Sequence, residues 1–183
     1  NVHGKTYFSF EPRISARYLI NDKLVIKASY AKMSQHLHLL TNSTVGLPTD
    51  TWVPTTSRIA PEVSSQIALG VKYQTRTGLT FSVEGFYKEM KNLVEYAEGE
   101  DIYLNDKNWE SRIISGNGTA YGLEFFAEKT SGRVTGSLAY TLSKNTRQFD
   151  EVNEGDPFPY KYDRRHDISV VANYRIKENI SMG

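Results

Sequence analysis

The chain has 183 residues, with 22 basic against 21 acidic side chains, a net charge of +1 at pH 7 and no cysteine. Such a balance argues against nucleic-acid binding driven by phosphate neutralisation, which needs a clustered basic surface, and the lack of any apolar run of about 18 residues excludes a transmembrane helix. Mean hydropathy is -0.50, a value that soluble domains share with transmembrane barrels, whose strands hide only alternate residues in lipid.

Residues 11–20 alternate apolar and polar side chains (Ile14, Ala16, Tyr18, Ile20), as do residues 24–35 (Leu24, Ile26, Ala28, Tyr30), and only Asn21, Asp22 and Lys23 separate the two. Period two is a strand signal because successive side chains point to opposite faces of a sheet; Asn-Asp is hairpin-turn chemistry. A third strand is expected over 63–74, with Ile67, Leu69, Val71 and Tyr73 on one face, turning at 75–78 into a fourth that opens at Leu79. The fifth covers 119–129 (Tyr121, Leu123, Phe125, Ala127) and turns at Ser131 and Gly132 into a sixth opening at Val134. The seventh runs over 163–175, and Lys177, Glu178 and Asn179 turn it into the start of an eighth.

Three of these strands carry an alternating apolar stripe nine residues long, with glycine as a neutral member: Leu79 to Tyr87 through Phe81, Val83 and Gly85; Val134 to Leu142 through Gly136, Leu138 and Tyr140; and Ile168 to Ile176 through Val170, Ala172 and Tyr174. A membrane-crossing strand tilted by about 45° needs roughly 9 to 11 residues. The stripe ends on the same face in charge at Glu89, Lys91 and Lys144, and in the polar ring of His166. The other face carries polar and small residues such as Thr80, Ser82, Glu84, Thr135, Ser137, Asp167 and Asn173. A lumen accepts that set, and so does the solvent face of a soluble sandwich. Sandwich strands run about 5 to 6 residues, and the longer strands here favour a barrel.

Between the hairpins lie long polar connections, 37–60, 97–117 and 148–161, which hold or border Pro48, Pro54, Pro61, Pro157 and Pro159. Short and long connections alternate, which in an up-and-down sheet collects tight turns at one end and long loops at the other. Tyrosines recur at two distances from the short turns: Tyr18, Tyr73 and Tyr174 just before them, Tyr30, Tyr87 and Tyr140 further after them. Rings at fixed heights suit a headgroup boundary, although tyrosine also favours strands in general.

The stretches FEPRISARYLINDKLVIKASYAKMSQHLHLL from Phe10, GNGTAYGLEFFAEKTSGRVTGSLAYTLSKN from Gly116 and FPYKYDRRHDISVVANYRI from Phe158 resemble the TonB-dependent outer-membrane receptors, especially those abundant in Bacteroidetes. The resemblance implies a Gram-negative outer-membrane location and one arc, seven to eight strands from the later part, of a barrel of about 22 strands. It also implies a plug domain and a TonB energy-coupling complex, engaged through an N-terminal part that these residues do not include, driving uptake of a siderophore, cobalamin, glycan or peptide. The fold expected is therefore all-β, an antiparallel up-and-down meander forming a single partial barrel domain over 1–183, with outer-membrane lipid as its surroundings. The alternative is a small passive eight-stranded outer-membrane barrel, or a soluble β domain that binds through its loops.

The side chains that carry chemistry are few. Trp52, Tyr96, Tyr103 and Trp109 lie in or beside the long connections and serve either as ligand anchors or as packing that holds a loop closed. Asp163, Arg165 and Asp167 share the lumen side if Ile168 faces lipid, forming a charge ladder expected to fix register or meet the plug. His36 and His38, at i and i+2, are expected to share a face at a solvated loop base; two imidazoles fall short of the three or four ligands of a divalent-ion site, so no metal and no cofactor is expected. Gly116, Gly118 and Gly122 are expected to permit a loop-to-strand bend, since no helix pattern follows to make them a dinucleotide fingerprint. His166, Asp167 and Ser169 are close in sequence but His166 and Asp167 face opposite sides, so no hydrolytic triad and no enzyme is expected.

Overall fold

The computed structural model describes residues 5–41, 50–97, 109–177 and 180–182. Its strands are β1 (Arg13–Asn21), β2 (Leu24–Gln35), β3 (Leu37–Thr41), β4 (Asp50–Pro54), β5 (Glu62–Gln74), β6 (Leu79–Tyr96), β7 (Ile113–Lys129), β8 (Val134–Gln148), β9 (Phe158–Pro159), β10 (His166–Lys177) and β11 (Ile180–Met182). One antiparallel meander has the order β1-β2-β5-β6-β7-β8-β10-β11, with β9 joining β8 on the side, and β3 and β4 form a separate hairpin. The fold is all-β and up-and-down, the architecture of a barrel fragment; among the described residues helix is confined to two short 3-10 segments.

The turns follow from their residues. Asn21 Oδ1 accepts hydrogen bonds from the amides of Lys23 and Leu24, both at 2.9 Å, which closes the β1–β2 hairpin with an Asn side chain in place of a backbone acceptor. Gly78 sits at φ +79° in the β5–β6 turn, a left-handed conformation, and a Cβ there would also meet Ser131 Oγ of the neighbouring turn. That serine donates to Thr77 O at 2.9 Å, so adjacent tight turns are tied together.

Register carries the stripe from strand to strand. One row of directly paired residues runs Tyr18, Ile26, Val71, Val83, Phe125, Tyr140, Ile168, and a second on the same side, two rows further on, runs Ile14, Tyr30, Ile67, Tyr87, Tyr121, Lys144. Ile14, Tyr18, Ile67, Leu69, Val71, Phe81, Val83, Leu123, Ile168 and Val170 all stand exposed on that side. An apolar surface of this extent is foreign to a protein dissolved in water.

The buried apolar side chains lie elsewhere. Among the described residues all but Val25 and Ala68 belong to two clusters at the end of the sheet opposite the tight turns: Leu40, Val53, Ile59 and Val94, and Leu93, Ile114 and Phe149. The strands there run further than expected. β6 has 18 residues against the roughly 9 to 11 that cross a bilayer, and 113–117, expected to belong to the second long connection, form the first part of β7. The connection 37–60 is likewise not simply polar, since it folds into the β3–β4 hairpin and buries Leu40 and Val53. β10 starts at His166 rather than at residue 163, which leaves Asp163 and Arg165 just outside the strand.

Candidate functional site

The two clusters hold the far end of the sheet as a built structure. A bulge at Asn92, φ 58°, interrupts the β6–β7 register between Lys91 and Leu93. One extra residue reverses which parity faces which side. Leu93 therefore pairs with Gly116 on the side continuous with the polar face, and Val94 pairs with Ser115 on the side continuous with the stripe. The β3–β4 hairpin covers Val94 together with Tyr96, Trp109 and Ile113, while Phe149, Val152 and Phe158 cover Leu93 and Ile114 on the other side. Asn92 Nδ2 donates to Pro61 O at 2.9 Å, tying the bulge to the chain as it enters β5.

Glycine at 116 and 118 makes that second cover possible. A Cβ on Gly116 would collide with Gln148 O and with the Phe149 ring, and one on Gly118 would lie 2.8 Å from Leu93 Cδ1. These glycines, with Gly122 below Phe86, lie inside β7 and serve close approach; the bend expected of them is not there.

His36 and His38 do not share a face, because the chain bends at His36 between β2 and β3. His36 Nε2 is 3.4 Å from Ser9 Oγ. The solvated position expected for His38 is corrected: its side chain is 0 % exposed, with Nδ1 3.3 Å from Glu62 Oε1 and Nε2 3.3 Å from Thr55 Oγ1. Burial of both ring nitrogens requires such partners, and the pair clamps the hairpin to the start of β5. Among the described residues no group of three or more metal-ligating side chains converges.

The loop aromatics separate. Tyr96 and Trp109 are partly buried against the Leu40–Val53 cluster. Trp52 is 61 % exposed, opposite Leu39 on the free face of the hairpin. Tyr103 lies outside the described residues.

The ladder residues divide as well. Arg165 Nη2 lies 3.7 Å from Asp163 Oδ2, and Asp163 Oδ1 accepts the Asn145 amide at 2.7 Å, so Asp163 staples the approach to β10 onto β8. Asp167 lies instead 3.5 Å from Arg164, both exposed. His166 is on the stripe side, where its Nδ1 and the Tyr140 hydroxyl are 2.8 Å apart, away from Asp167 and Ser169.

A further cluster escapes sequence reasoning. The Arg147 guanidinium stacks 3.6 Å from the centroid of Tyr160 and lies 3.9 Å from Glu95 Oε2. Burial raises the Tyr160 hydroxyl above its ordinary pKa, against the pull of Arg147, with Tyr162, Glu95 and Glu62 adding smaller upward effects. Arg147 lies on the polar alternation of β8 with Ser143 and Asn145, but Glu95 reaches the same side only through the Asn92 bulge.

Across the polar face one paired row reads Arg17, Lys27, Gly70, Glu84, Glu124, Thr141, Asp167. The face is polar and two-signed, suited to a wet or protein-filled lumen.

Comparison with family models matches residues 1–179 to the family described as TonB dependent receptor-like, beta-barrel. No curated protein and no solved structure gives a match.

Proposed function

Because the chain belongs to the TonB-dependent receptor β-barrel family, whose members are outer-membrane transport proteins and not enzymes, we propose that residues 1–183 are one partial barrel domain of an energy-coupled nutrient receptor. They supply an arc of wall and the extracellular structure above it. The observation that carries this reading is the continuous outward apolar surface, broken to charge at Glu89, Lys91 and Lys144, with tight turns at one end and built loops at the other. Outer-membrane barrels keep short turns on the periplasmic side and long loops outside, which sets the Leu93–Phe149 and Leu40–Val53 clusters above the bilayer.

In this reading the plug domain and the TonB complex act on parts of the receptor beyond these residues, and the two-signed polar row faces the plug. The nutrient is a siderophore, cobalamin, glycan or peptide, met from the loops; Trp52, largely exposed where Tyr96 and Trp109 are partly buried, is the anchor of choice. Cysteine scanning of 79–88 in the receptor in native membranes tests the wall. Lipid-soluble probes should label Phe81, Val83 and Gly85 and aqueous probes Ser82 and Glu84; equal aqueous labelling of both faces would sink the assignment.

A further inference from the structure

The outward face is not uniform. Between the paired row that contains Tyr87, Tyr121 and Lys144 and the row that contains Leu69, Gly85 and Leu123 lies a groove of about 590 Å³. It exists because the second row loses a side chain at Gly85, where a Cβ would already come within 3.3 Å of Leu123 Cδ2. Tyr87 and Tyr121 are directly opposite each other, and Lys144 is directly opposite Tyr121. Among the described residues no carboxylate is within ion-pair range of Lys144. An apolar trough with two tyrosines and the unpaired Lys144 along one wall, and with Arg165, already paired to Asp163, also lining it, is asymmetric in chemistry. Plain hydrocarbon contact would need neither the trough nor the cation at its edge.

We propose that the groove is a specific lipid site, holding one acyl chain of a phosphate-bearing lipid of the outer leaflet, with the phosphate at Lys144 and the Tyr121 ring beside it. The occupant follows from continuity: the groove is cut into the surface assigned to lipid, near the end of the stripe away from the tight turns, where aromatic rings and cations meet headgroups. The inference rests on the membrane-wall reading. Trough, tyrosines and lysine come from three strands, β6, β7 and β8, so the site depends on the register between them.

The test is photocrosslinking of the receptor, reconstituted in phosphatidylcholine vesicles, with phosphatidylglycerol carrying a diazirine halfway along one chain. Labelling should concentrate on 85–87 and 121–123, and be competed by unlabelled phosphatidylglycerol but not by diacylglycerol. Gly85→Leu, which fills the trough, should reduce it about tenfold, as exclusion of two or so methylenes implies. Lys144→Gln should reduce it about fivefold, the worth of one interfacial cation. Because Lys144 stands at the rim, that variant keeps the test valid if Gly85→Leu does not fold. Even labelling along Phe81, Val83 and Leu138, unchanged in both variants, would overturn the site and leave ordinary annular lipid. Absence of label from every outward side chain would overturn the membrane wall itself.

Discussion

The lower and upper halves of the β6–β7 hairpin are the same two strands in two different surroundings, which the proposed reading makes bilayer and water. From Leu79 to Lys91, paired with Asn117 to Lys129, the outward side chains stand exposed and only alternation organises them. Beyond the Asn92 bulge, Leu93 to Tyr96 and Ile113 to Gly116 are covered on both sides by the chain's own loops. In that reading the lower half borrows the bilayer as its second layer. The upper half, in water, builds its own layers, as a β-sheet must to bury an apolar face. The loops above a barrel of this kind are therefore structural elements before they are binding elements.

The sharpest way to break this contrast is Phe149→Ala. Phe149 is 1 % exposed and faces Gly116, so truncation leaves a cavity on one side of the upper half and costs that half about 3 to 5 kcal/mol. Amide exchange at 113–116 should accelerate, while the heat-resistant electrophoretic mobility of the barrel is retained. Equal loosening of 79–91 would show that the halves are one cooperative unit. Next in size is Val83→Arg, which puts a charge on the outward face and should cost about 2 to 4 kcal/mol in bilayers, against little for the neighbouring Ser82→Arg. Unfolding in urea from vesicles separates the two; equal losses would mean that the faces are not distinct.

The contrast also marks what the sequence discloses. Alternation at Leu79–Tyr87 and Ile168–Ile176 is enough to find the strands, their faces and, through the uneven connections, which end is which. The upper clusters follow another rule. Leu39-Leu40, Trp52-Val53, Leu93-Val94 and Ile113-Ile114 are adjacent apolar pairs, and adjacent residues on a strand point to opposite faces. In β6 and β7 such pairs mark strands covered on both sides, whereas in the β3–β4 hairpin only Leu40 and Val53 are covered and Leu39 and Trp52 stay exposed; all lie among so many polar residues that 37–60 and 97–117 pass for plain loops. The bulge is harder to see, because Asn92 differs from an ordinary polar strand residue only in its φ. Nor does the charge ladder survive intact: spacing groups Asp163, Arg165 and Asp167, but β10 begins only at His166, so two of the three bond within the approach to the strand.

Smaller effects sharpen the boundary between the halves. His38→Leu removes the partner of Glu62 Oε1 and Thr55 Oγ1 in a buried site and should cost about 1 to 3 kcal/mol. The loss belongs to the β3–β4 hairpin, so proteolysis within 37–60 should quicken while 148–161 stays protected; parallel cleavage of both would place the two covers in one unit. Asn92→Gly keeps the positive φ but loses the bond to Pro61 O, a cost of about 0.5 to 1.5 kcal/mol. Exchange at 61–63 should rise with the register of β6 and β7 unchanged.

The smallest effect is set by pH. Burial raises the Tyr160 pKa above the ordinary 10.0, and Arg147 opposes that shift without cancelling it. The folded state therefore favours the neutral phenol relative to the unfolded chain. Its contribution is whole below the ordinary value and declines as pH climbs through the raised one. Arg147 stacks on the ring of Tyr160 and also faces Glu95, so ionisation places a new anion between a cation and a carboxylate at the edge of the cover over Leu93 and Ile114. Proteolysis of 148–161 should stay flat from neutral pH to about 10 and rise beyond it in the wild type. In Tyr160→Phe the ring still carries the guanidinium but cannot ionise, so the alkaline rise should vanish. A rise that persists in the variant would assign the alkaline loosening to another group and detach Tyr160 from the stability of the upper half.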